Sequence, residues 1–334
     1  MNKIAVLGAG SWGTALAQII SDNGYPATLW VRNNNLAQTM ATTHLNTVYL
    51  PQLLLNKNLS FSSDLESVLK EAEVIFLVVP THGMRDICKR IAAHNNCEHK
   101  IIISCSKGFE IVTNRTMSAI ITEYLPLSNI AVLSGPNHAE EIAEKKPAAS
   151  VIASSSVNVA KSVQTILLNS YFRPYISDDV LGVELAGSVK NIIALAAGMA
   201  AGLKLGDNCQ AALLTRGMSE ITRLGCKLGA KEQTFFGLAG MGDLIATCTS
   251  THSRNRRAGL AIARGDSPKQ ITINNAGMVV EGFNATKAVY TIAKKLELEM
   301  PITNSVYNII YKKHSITSEL ETLMERSGKT EYFF

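Results

Sequence analysis

A glycine-rich turn close to the N-terminus narrows the possible folds of this chain more than any other feature. Residues 3–7 form a short apolar run that predicts a buried strand, and Gly8, Gly10 and Gly13 follow before a helical pattern that reaches Ile20. At this spacing the first glycine permits a tight turn, the second lets the backbone approach a pyrophosphate, and the third lets the helix pack closely on the strand. The helix N-terminus adds free N–H groups for phosphates. Together these elements predict a dinucleotide-binding unit, with a plain glycine-rich turn as the alternative.

Apolar runs continue to alternate with helical patterns as far as residue 178. Further strands are predicted at residues 27–31, 74–79, 100–104, 130–133, 149–153 and 171–176. This alternation favours a parallel sheet, so we expect an α/β architecture with an N-terminal Rossmann-type domain over residues 1–178. Beyond that point long helical stretches rich in Ala, Gly, Leu and Ile predict an all-helical C-terminal domain over residues 179–334.

Composition excludes several classes of function. Hydrophobic residues make up 46% of the 334 residues and charged residues 18%, which is ordinary for a globular protein. The net charge of +5 includes no run of five like charges, so no nucleic-acid partner is expected. The apolar stretch 192–203 is bracketed by Lys190, Asn191 and Lys204 and is too short to span a membrane.

Cysteine and histidine spacing bears on metals and on cellular location. The six cysteines form no Cys-x-x-Cys pair and no disulfide-like framework, and the seven histidines form no His-Glu-x-x-His motif. The apolar run 4–7 is too short for a signal-peptide core. We therefore expect free thiols, no metal site and a cytoplasmic protein.

The end of the second predicted strand bears on cofactor choice. Sites that prefer NAD usually carry Asp or Glu here, whereas this chain has Arg32 followed by Asn33. An acid would repel a 2′-phosphate and an arginine can pair with one, so the position predicts that NADPH is accepted or even preferred. The alternative is an Arg32 side chain that merely points to solvent.

Lys190 lies on the small, apolar face of a predicted helix. At helical spacing its neighbours cannot pair with an ammonium group; they are Ala186, Gly187, Ile193 and Ala194. Desolvation lowers the pKa of a lysine, and a lowered pKa is what a proton-transferring lysine needs near neutral pH. The alternative, which is favoured for the lysine taken alone, is a long stem that carries its charge to the surface.

Polar residues also follow two neighbouring predicted strands. Lys107 follows the strand at 100–104, and residues 135–139 follow the next one. The carboxyl ends of strands in such sheets face the ligand crevice, so Lys107 can meet an anion there and residues 135–139 should line the same crevice.

Two further clusters lie between residues 243 and 257. Asp243 and Thr247 are four residues apart and so share one helix face, from which Asp243 can hold and tune Lys190; a helix N-cap is the alternative for Asp243. In residues 253–257 a guanidinium lies next to amide and hydroxyl donors, a combination that suits a phosphate group. The alternative for this cluster is a solvated basic turn.

These motifs resemble bacterial NAD(P)-dependent glycerol-3-phosphate dehydrogenases over nearly the whole chain. The resemblance lies, in order, in residues 8–17, 106–108, 134–136, 184–191, 238–247, 253–255 and 279–282. Several motifs in the right order are far more specific than any one alone. The resemblance implies reversible reduction of dihydroxyacetone phosphate, a small phosphate ester, by NADPH or NADH to sn-glycerol 3-phosphate for phospholipid synthesis. It also implies a homodimer.

The resemblance implies a role for individual residues. Lys190 would protonate the carbonyl oxygen during reduction and act as the base in reverse, with Asp243 as its partner, while Arg254 and Asn255 would bind the phosphate. Further positions that match substrate contacts are Lys107, Gly135, Asn137, Asn191, Thr247 and Ser253. Positions that match cofactor contacts are Gly8, Gly10, Ser11, Trp12, Gly13, Arg32, Lys107, Ala139, Arg254, Val279 and Glu281.

Two positions and two alternative functions qualify this interpretation. Asn137 stands where many members carry Ser or Thr but remains polar, and the residues after the second strand vary within the family, so Arg32 does not settle the preference between NADH and NADPH. One alternative is a β-hydroxyacid dehydrogenase, because arginine binds carboxylates as well as phosphates. The other is a non-catalytic NADPH sensor, which would have no use for a buried Lys190 beside Asp243.

Overall fold

The computed structural model describes residues 3–94, 99–274, 280–328 and 330–331. Predictions that involve Val279 lie outside the described residues. The chain forms two compact units: unit 1 comprises Met1–Lys107 and Thr116–Val183, and unit 2 comprises Gly108–Arg115 and Glu184–Phe334. The expected domain limits, 1–178 and 179–334, stay a prediction.

Unit 1 contains a large sheet and a separate hairpin. Its described strands are β1 (Ile4–Leu7), β2 (Ala27–Trp30), β3 (Leu45–Asn46), β4 (Leu50–Leu54), β5 (Ser60–Ser62), β6 (Val74–Leu77), β7 (Ile101–Ser104), β8 (Asn129–Ser134), β9 (Ala148–Ala153) and β10 (Phe172–Ser177). Strands β3 and β4 pair only with each other, and the other eight form one sheet in the order β10-β9-β8-β7-β6-β1-β2-β5. All seven strands predicted from the sequence are confirmed. Strands β3, β4 and β5 were not predicted, because they lack the continuous apolar run of the other strands.

One pairing in the sheet departs from the expected parallel arrangement. Strands β8 and β9 are antiparallel, with Leu133 opposite Ile152, while the other neighbouring strands are parallel. The expectation of a parallel sheet is therefore wrong at this pair. The connection between the two strands contains only the five-residue helix Ala139–Ala143, whereas a parallel connection usually uses a full crossover helix.

Helices cover both faces of the sheet. They are α1 (Ser11–Asp22), α2 (Asn34–Thr43), α3 (Leu65–Glu71), α4 (Met84–Ala93), α5 (Met117–Tyr124), α6 (Ala139–Ala143) and α7 (Val157–Leu167). Ile4 and Val6 of β1 pack in a core with α1, α2, α6 and α7, while Ala5 and Leu7 pack in a second core with α3, α4 and α5. Because both faces are buried, the strands read as continuous apolar runs. The strand order reverses at β1, which is where doubly wound sheets bind ligands.

The described part of unit 2 contains helices and no strand, as predicted. They are α8 (Val180–Gly202, which begins in unit 1), α9 (Gly206–Lys227), α10 (Glu232–Phe235), α11 (Asp243–Thr249), α12 (Arg254–Ala263), α13 (Pro268–Asn274), α14 (Glu281–Lys295), α15 (Pro301–Lys312) and α16 (Ile316–Met324). A π-helical turn, Leu238–Gly242, leads into α11. Helix α8 is long and apolar enough to cross a membrane, but 83% of its most apolar window is buried in the protein, as in a core helix.

Two glycines let α8 and α12 approach each other backbone to backbone. A Cβ atom built on Gly259 would lie 2.1 Å from the Leu195 carbonyl oxygen, and one built on Gly198 would lie 2.1 Å from the Arg256 carbonyl oxygen. Any side chain at either position would push the helices apart. This contact holds the first turn of α12, which begins at Arg254, close to α8.

A buried carboxylate joins α9 to the start of α15. Glu220 accepts hydrogen bonds from the backbone N–H groups of Ile302, at 2.5 Å, and Thr303, at 3.1 Å, and from the Thr303 hydroxyl at 2.9 Å. These amides lie in the first turn of α15, where helical N–H groups lack intrahelical partners. Burial raises the pKa of Glu220 from 4.5 to about 7, although the three hydrogen bonds and the charge of Arg223 oppose the rise.

The raised pKa of Glu220 predicts a pH-dependent stability. Since the folded carboxyl keeps its proton to a higher pH than the unfolded one, its contribution is full below pH 4.5 and is lost as the pH rises through about 7. The difference is about 3 kcal/mol in the free energy of unfolding. Replacing the carboxyl by an amide in Glu220→Gln should flatten this decline, measured as urea unfolding free energy between pH 5 and pH 8.

The matched control for this prediction is Glu232→Gln in α10. Glu232 is an exposed carboxylate in the same unit. The control should therefore keep the wild-type pH dependence. An equal decline in wild type and Glu220→Gln would contradict the prediction.

Candidate functional site

The glycine-rich turn of unit 1 follows β1. Gly8 has φ +123°, and a Cβ atom there would lie 2.4 Å from the Val78 carbonyl oxygen; one on Gly13 would lie 1.8 Å from the Gly8 carbonyl oxygen. Packing therefore requires both glycines. Gly10 differs, because a Cβ atom there would meet no protein atom within 4 Å. This open space leaves room for a close backbone approach by a ligand, so the turn fits a dinucleotide phosphate.

The next two residues begin helix α1. Gly10 is its N-cap and offers no side chain to satisfy the first helical N–H groups. The Ser11 hydroxyl donates to the Tyr49 carbonyl oxygen at 3.0 Å, so its side chain is used within the protein. The Trp12 ring lies 6.4 Å from that of Phe172, and its indole nitrogen is buried without a hydrogen-bond partner among the described residues. A ligand anion would meet the backbone at this helix start.

Arg32 lies two residues beyond the end of β2 and is exposed. The following residue, Asn33, is the N-cap of α2 and accepts from Leu36 N at 3.0 Å. The fold therefore places Arg32 at the carboxyl edge of the sheet. An exposed guanidinium there is compatible with both a bound 2′-phosphate and the solvent-facing alternative.

Lys107, Gly135 and Asn137 come together in unit 1, as the sequence predicts. The Lys107 ammonium donates to the Gly135 carbonyl oxygen and to Asn137 Oδ1, each at 2.9 Å. Gly135 has φ +145°, and a Cβ atom there would lie 2.8 Å from Ser150 Cα, so no other residue fits. Asn137 thus supplies an oxygen acceptor. Ala139 opens helix α6 four residues after Gly135.

Lys190 of unit 2 is only 4% exposed, so the alternative of a surface-directed lysine is wrong. Its ammonium donates to the Asp243 carboxylate and, at 2.5 Å, to the Thr247 hydroxyl. Both partners lie on one face of α11, one turn apart. The N-cap of α11 is Gly242, so the N-cap alternative for Asp243 is also wrong. Helix α11 thus provides two hydrogen-bond partners for Lys190.

This ion pair lies in an apolar, buried setting. An ammonium group removed from water is tolerated when an opposite charge and further hydrogen bonds accompany it. The neighbouring thiol of Cys248 does not compete chemically, because burial raises its pKa to about 12 and keeps it protonated. The thiol is thus neutral beside the Lys190–Asp243 ion pair.

Asn255 joins three helices of unit 2 beside this pair. Its Nδ2 donates to Asn191 Oδ1 at 2.8 Å, and its Oδ1 accepts from Gly282 N at 2.9 Å. Asn191 follows Lys190 on α8, and Gly282 lies in the first turn of α14. The amide of Asn255 thus links the three helices, and its second N–H group remains available for a ligand.

The remaining predicted residues of unit 2 surround the start of α12. Ser253 is buried and caps α12, with its hydroxyl accepting from Arg256 N at 3.2 Å. Arg254 is the exposed first residue of that helix, and Glu281 is the half-buried first residue of α14. No group of three or more His, Cys, Asp or Glu residues could hold a metal ion in the described ranges.

Sequence reasoning missed one residue at the glycine-rich turn. Asn46 lies in β3 and is fully buried, with its amide hydrogen-bonded to the turn and to α1. A single asparagine outside any motif carries no sequence signal for such a contact.

Comparison with known proteins covers both units. The family profile for the NAD-dependent glycerol-3-phosphate dehydrogenase N-terminus matches residues 3–160, and the profile for the C-terminus matches residues 179–321. A protein of Enterococcus faecalis named glycerol-3-phosphate dehydrogenase (NAD(P)+) is 44% identical, covering 99% of this chain and 98% of its own. A protein of the same name from Clostridium acetobutylicum is 43% identical over the full length of both chains.

Solved structures show the same similarity. The crystal structure of glycerol-3-phosphate dehydrogenase from Coxiella burnetii has a TM-score of 0.92 and 37% identity, and it covers 97% of this chain and 99% of its own. A structure of DsGPDH from Dunaliella salina has a TM-score of 0.90 and 27% identity, covering 96% of this chain and 66% of its own.

Proposed function

Because the chain belongs to the NAD-dependent glycerol-3-phosphate dehydrogenase family, we propose that Lys190 transfers the proton of its reaction. The chain is an NAD(P)-dependent oxidoreductase that reduces dihydroxyacetone phosphate to glycerol 3-phosphate. The observation that supports the role of Lys190 is its buried ammonium, held by Asp243 and Thr247. Membership of this family favours its reaction over both alternatives, the β-hydroxyacid dehydrogenase and the non-catalytic sensor.

Reduction of a ketone places negative charge on its oxygen. A proton donor or a cation must meet that charge, and a lysine ammonium provides both. The bound nicotinamide supplies the hydride, while the protein supplies position and electrostatic field. Lys190 donates its proton to the substrate oxygen during reduction and accepts it back during oxidation. Asp243 and Thr247 hold the ammonium in one orientation, which limits the motion needed before transfer.

The phosphate group must provide most of the binding energy for so small a substrate. Its remaining atoms give little binding energy, so charged and polar groups must recognise the phosphate. Arg254 and Asn255 are the proposed phosphate ligands, since an exposed guanidinium and an available amide N–H lie side by side at the start of α12. The other proposed substrate contacts are Lys107, Gly135, Asn137, Asn191, Thr247 and Ser253.

The glycine-rich turn is the proposed site of the cofactor pyrophosphate. Gly8 and Gly13 shape the turn, and Gly10 leaves the space that a phosphate would fill. The other proposed cofactor contacts in described residues are Ser11, Trp12, Arg32, Lys107, Ala139, Arg254 and Glu281. NADPH and NADH are both proposed cofactors, and Arg32 is the residue that can pair with the 2′-phosphate of NADPH.

The proposal also covers the cellular compartment, the physiological role and the assembly of the protein. No disulfide joins the described cysteines, which supports a reducing, cytoplasmic compartment; they are Cys88, Cys105, Cys209, Cys226 and Cys248. The proposed physiological role is to supply glycerol 3-phosphate for phospholipid synthesis. The proposed assembly is a homodimer, which rests on the family resemblance.

Removal of the Lys190 amine tests its role directly. Lys190→Ala should lower kcat for dihydroxyacetone phosphate reduction by about 10²–10⁴-fold, because the substrate oxygen loses its proton donor. NADPH affinity should stay nearly unchanged, because the glycine-rich turn is intact. The measurements are NADPH consumption by absorbance and NADPH binding by calorimetry, and an equal loss in both would refute the catalytic role.

Removal of the Arg254 guanidinium tests the phosphate site. Arg254→Ala should raise KM for dihydroxyacetone phosphate by about 10–100-fold, since a charge-assisted hydrogen bond is lost. Arg257→Ala is the matched control, because Arg257 is exposed one turn further along the same helix. Steady-state kinetics that showed the same KM for both variants would count against the assignment.

A third substitution tests cofactor preference. Arg32→Ala should raise KM for NADPH by about tenfold while leaving KM for NADH within about twofold, because only NADPH carries the 2′-phosphate. NADH is thus the control within the same protein. If the ratio of the two KM values did not move, Arg32 would be a solvent-facing residue.

A further inference from the structure

Asn46 ties the β3–β4 hairpin to the glycine-rich turn of unit 1. Its side chain is fully buried, and its Nδ2 donates to the Ala9 carbonyl oxygen at 2.9 Å and to the Thr14 hydroxyl at 2.8 Å. Its Oδ1 accepts from Tyr49 N at 3.1 Å. Both amide hydrogens and the amide oxygen of Asn46 are therefore hydrogen-bonded. The Ala9 contact reaches the turn, the Thr14 contact reaches α1, and the Tyr49 contact stays within the hairpin.

A second contact reinforces this link. The Ser11 hydroxyl donates to the Tyr49 carbonyl oxygen at 3.0 Å, so the same peptide segment of the hairpin holds both Asn46 and the first residue of α1. The hairpin is not part of the eight-stranded sheet, and a two-stranded pair of this length is not stable by itself. Its place on the turn depends on such contacts.

The Ala9 contact controls the direction of a backbone donor. Peptide groups are planar and trans, and the described chain contains no cis peptide bond, so the Ala9 carbonyl and the Gly10 N–H point in opposite directions. When Asn46 holds the Ala9 carbonyl, it also directs the Gly10 N–H away from the hairpin. A Cβ atom on Gly10 would meet no protein atom within 4 Å, so the space that an approaching phosphate requires is open.

We propose that Asn46 is a positioning residue for cofactor binding. It holds the glycine-rich turn in its binding conformation before the dinucleotide arrives, so that binding does not have to order the turn. The proposal rests on the proposed role of that turn as the pyrophosphate site. Its effect falls on dinucleotide affinity, because the proton-transfer group Lys190 lies in unit 2.

Two leucine substitutions in the full-length protein test this proposal. Asn46→Leu removes the contacts to Ala9, Thr14 and Tyr49 while keeping a similar volume. Asn56→Leu is the matched control, because Asn56 follows β4 and its Nδ2 donates to Asp22 at the far end of α1, 2.9 Å away. Each variant loses an amide that joins the hairpin segment to the same helix, but only Asn46 touches the turn.

The expected result separates affinity from turnover. Asn46→Leu should raise both the calorimetric Kd and the KM for NADPH by about tenfold, with kcat changed by less than about twofold. Asn56→Leu should lower the thermal midpoint but leave the NADPH Kd unchanged. A loss of affinity equal in both variants, or an unchanged affinity in Asn46→Leu, would overturn the proposal. If Asn46→Leu does not fold, Asn46→Ser takes its place in the test. A serine hydroxyl can donate only one hydrogen bond, whereas the Asn46 amide donates two.

A third variant distinguishes this proposal from the proposed cofactor site. Gly10→Val places a side chain in the open space beside the turn. Weak NADPH binding in Gly10→Val together with normal binding in Asn46→Leu would overturn the role of Asn46 and leave the site in place. Normal binding in Gly10→Val would refute the turn as the pyrophosphate site, and the role of Asn46 would be refuted with it.

Discussion

The buried ion pair between Lys190 and Asp243 constrains unit 2 more than any other interaction. A buried lysine on an apolar helix needs an opposite charge within hydrogen-bonding reach, and Asp243 of another helix supplies one. Helix α11 must therefore lie where Asp243 and Thr247 meet the ammonium. An ammonium held in one orientation also suits the proposed proton transfer to a ketone oxygen.

Neighbouring contacts extend this arrangement to the proposed phosphate site. Gly198 and Gly259 bring α8 and α12 together without intervening side chains, so the first turn of α12 stays close to Lys190. Asn255 then links Asn191 on α8 to Gly282 on α14. The proposed proton-transfer residue and the proposed phosphate ligands thus share one packed support, which limits errors in substrate position.

At the glycine-rich turn of unit 1 the backbone, rather than side chains, meets the proposed pyrophosphate. Its turn contains two glycines that packing requires and a third, Gly10, that packing leaves open. The surrounding polar contacts act on backbone carbonyls: Asn46 holds that of Ala9, and Lys107 donates to that of Gly135. Such contacts orient peptide groups without filling the space that a phosphate needs.

Local patterns in the sequence determined the strands that are apolar and continuous, the glycine-rich turn between β1 and α1, and the change to helices in unit 2. These features depend on residues within a few positions of one another, so spacing alone reveals them. The short strand β5, Ser60–Ser62, has no such pattern, and the antiparallel pairing of β8 with β9 depends on how the intervening chain crosses the sheet.

Only the tertiary structure decided which polar groups meet. Spacing made Asp243 a possible partner of Lys190, but an N-cap fitted the same residue equally well until α8 and α11 were seen to face each other. For Asn46 and Asn255 the sequence carried no indication of the contacts they make, because their partners lie 37 and 64 positions away and include backbone groups that every residue has. A hydrogen bond between distant segments depends on the packed fold, and residue identity at one position does not encode it.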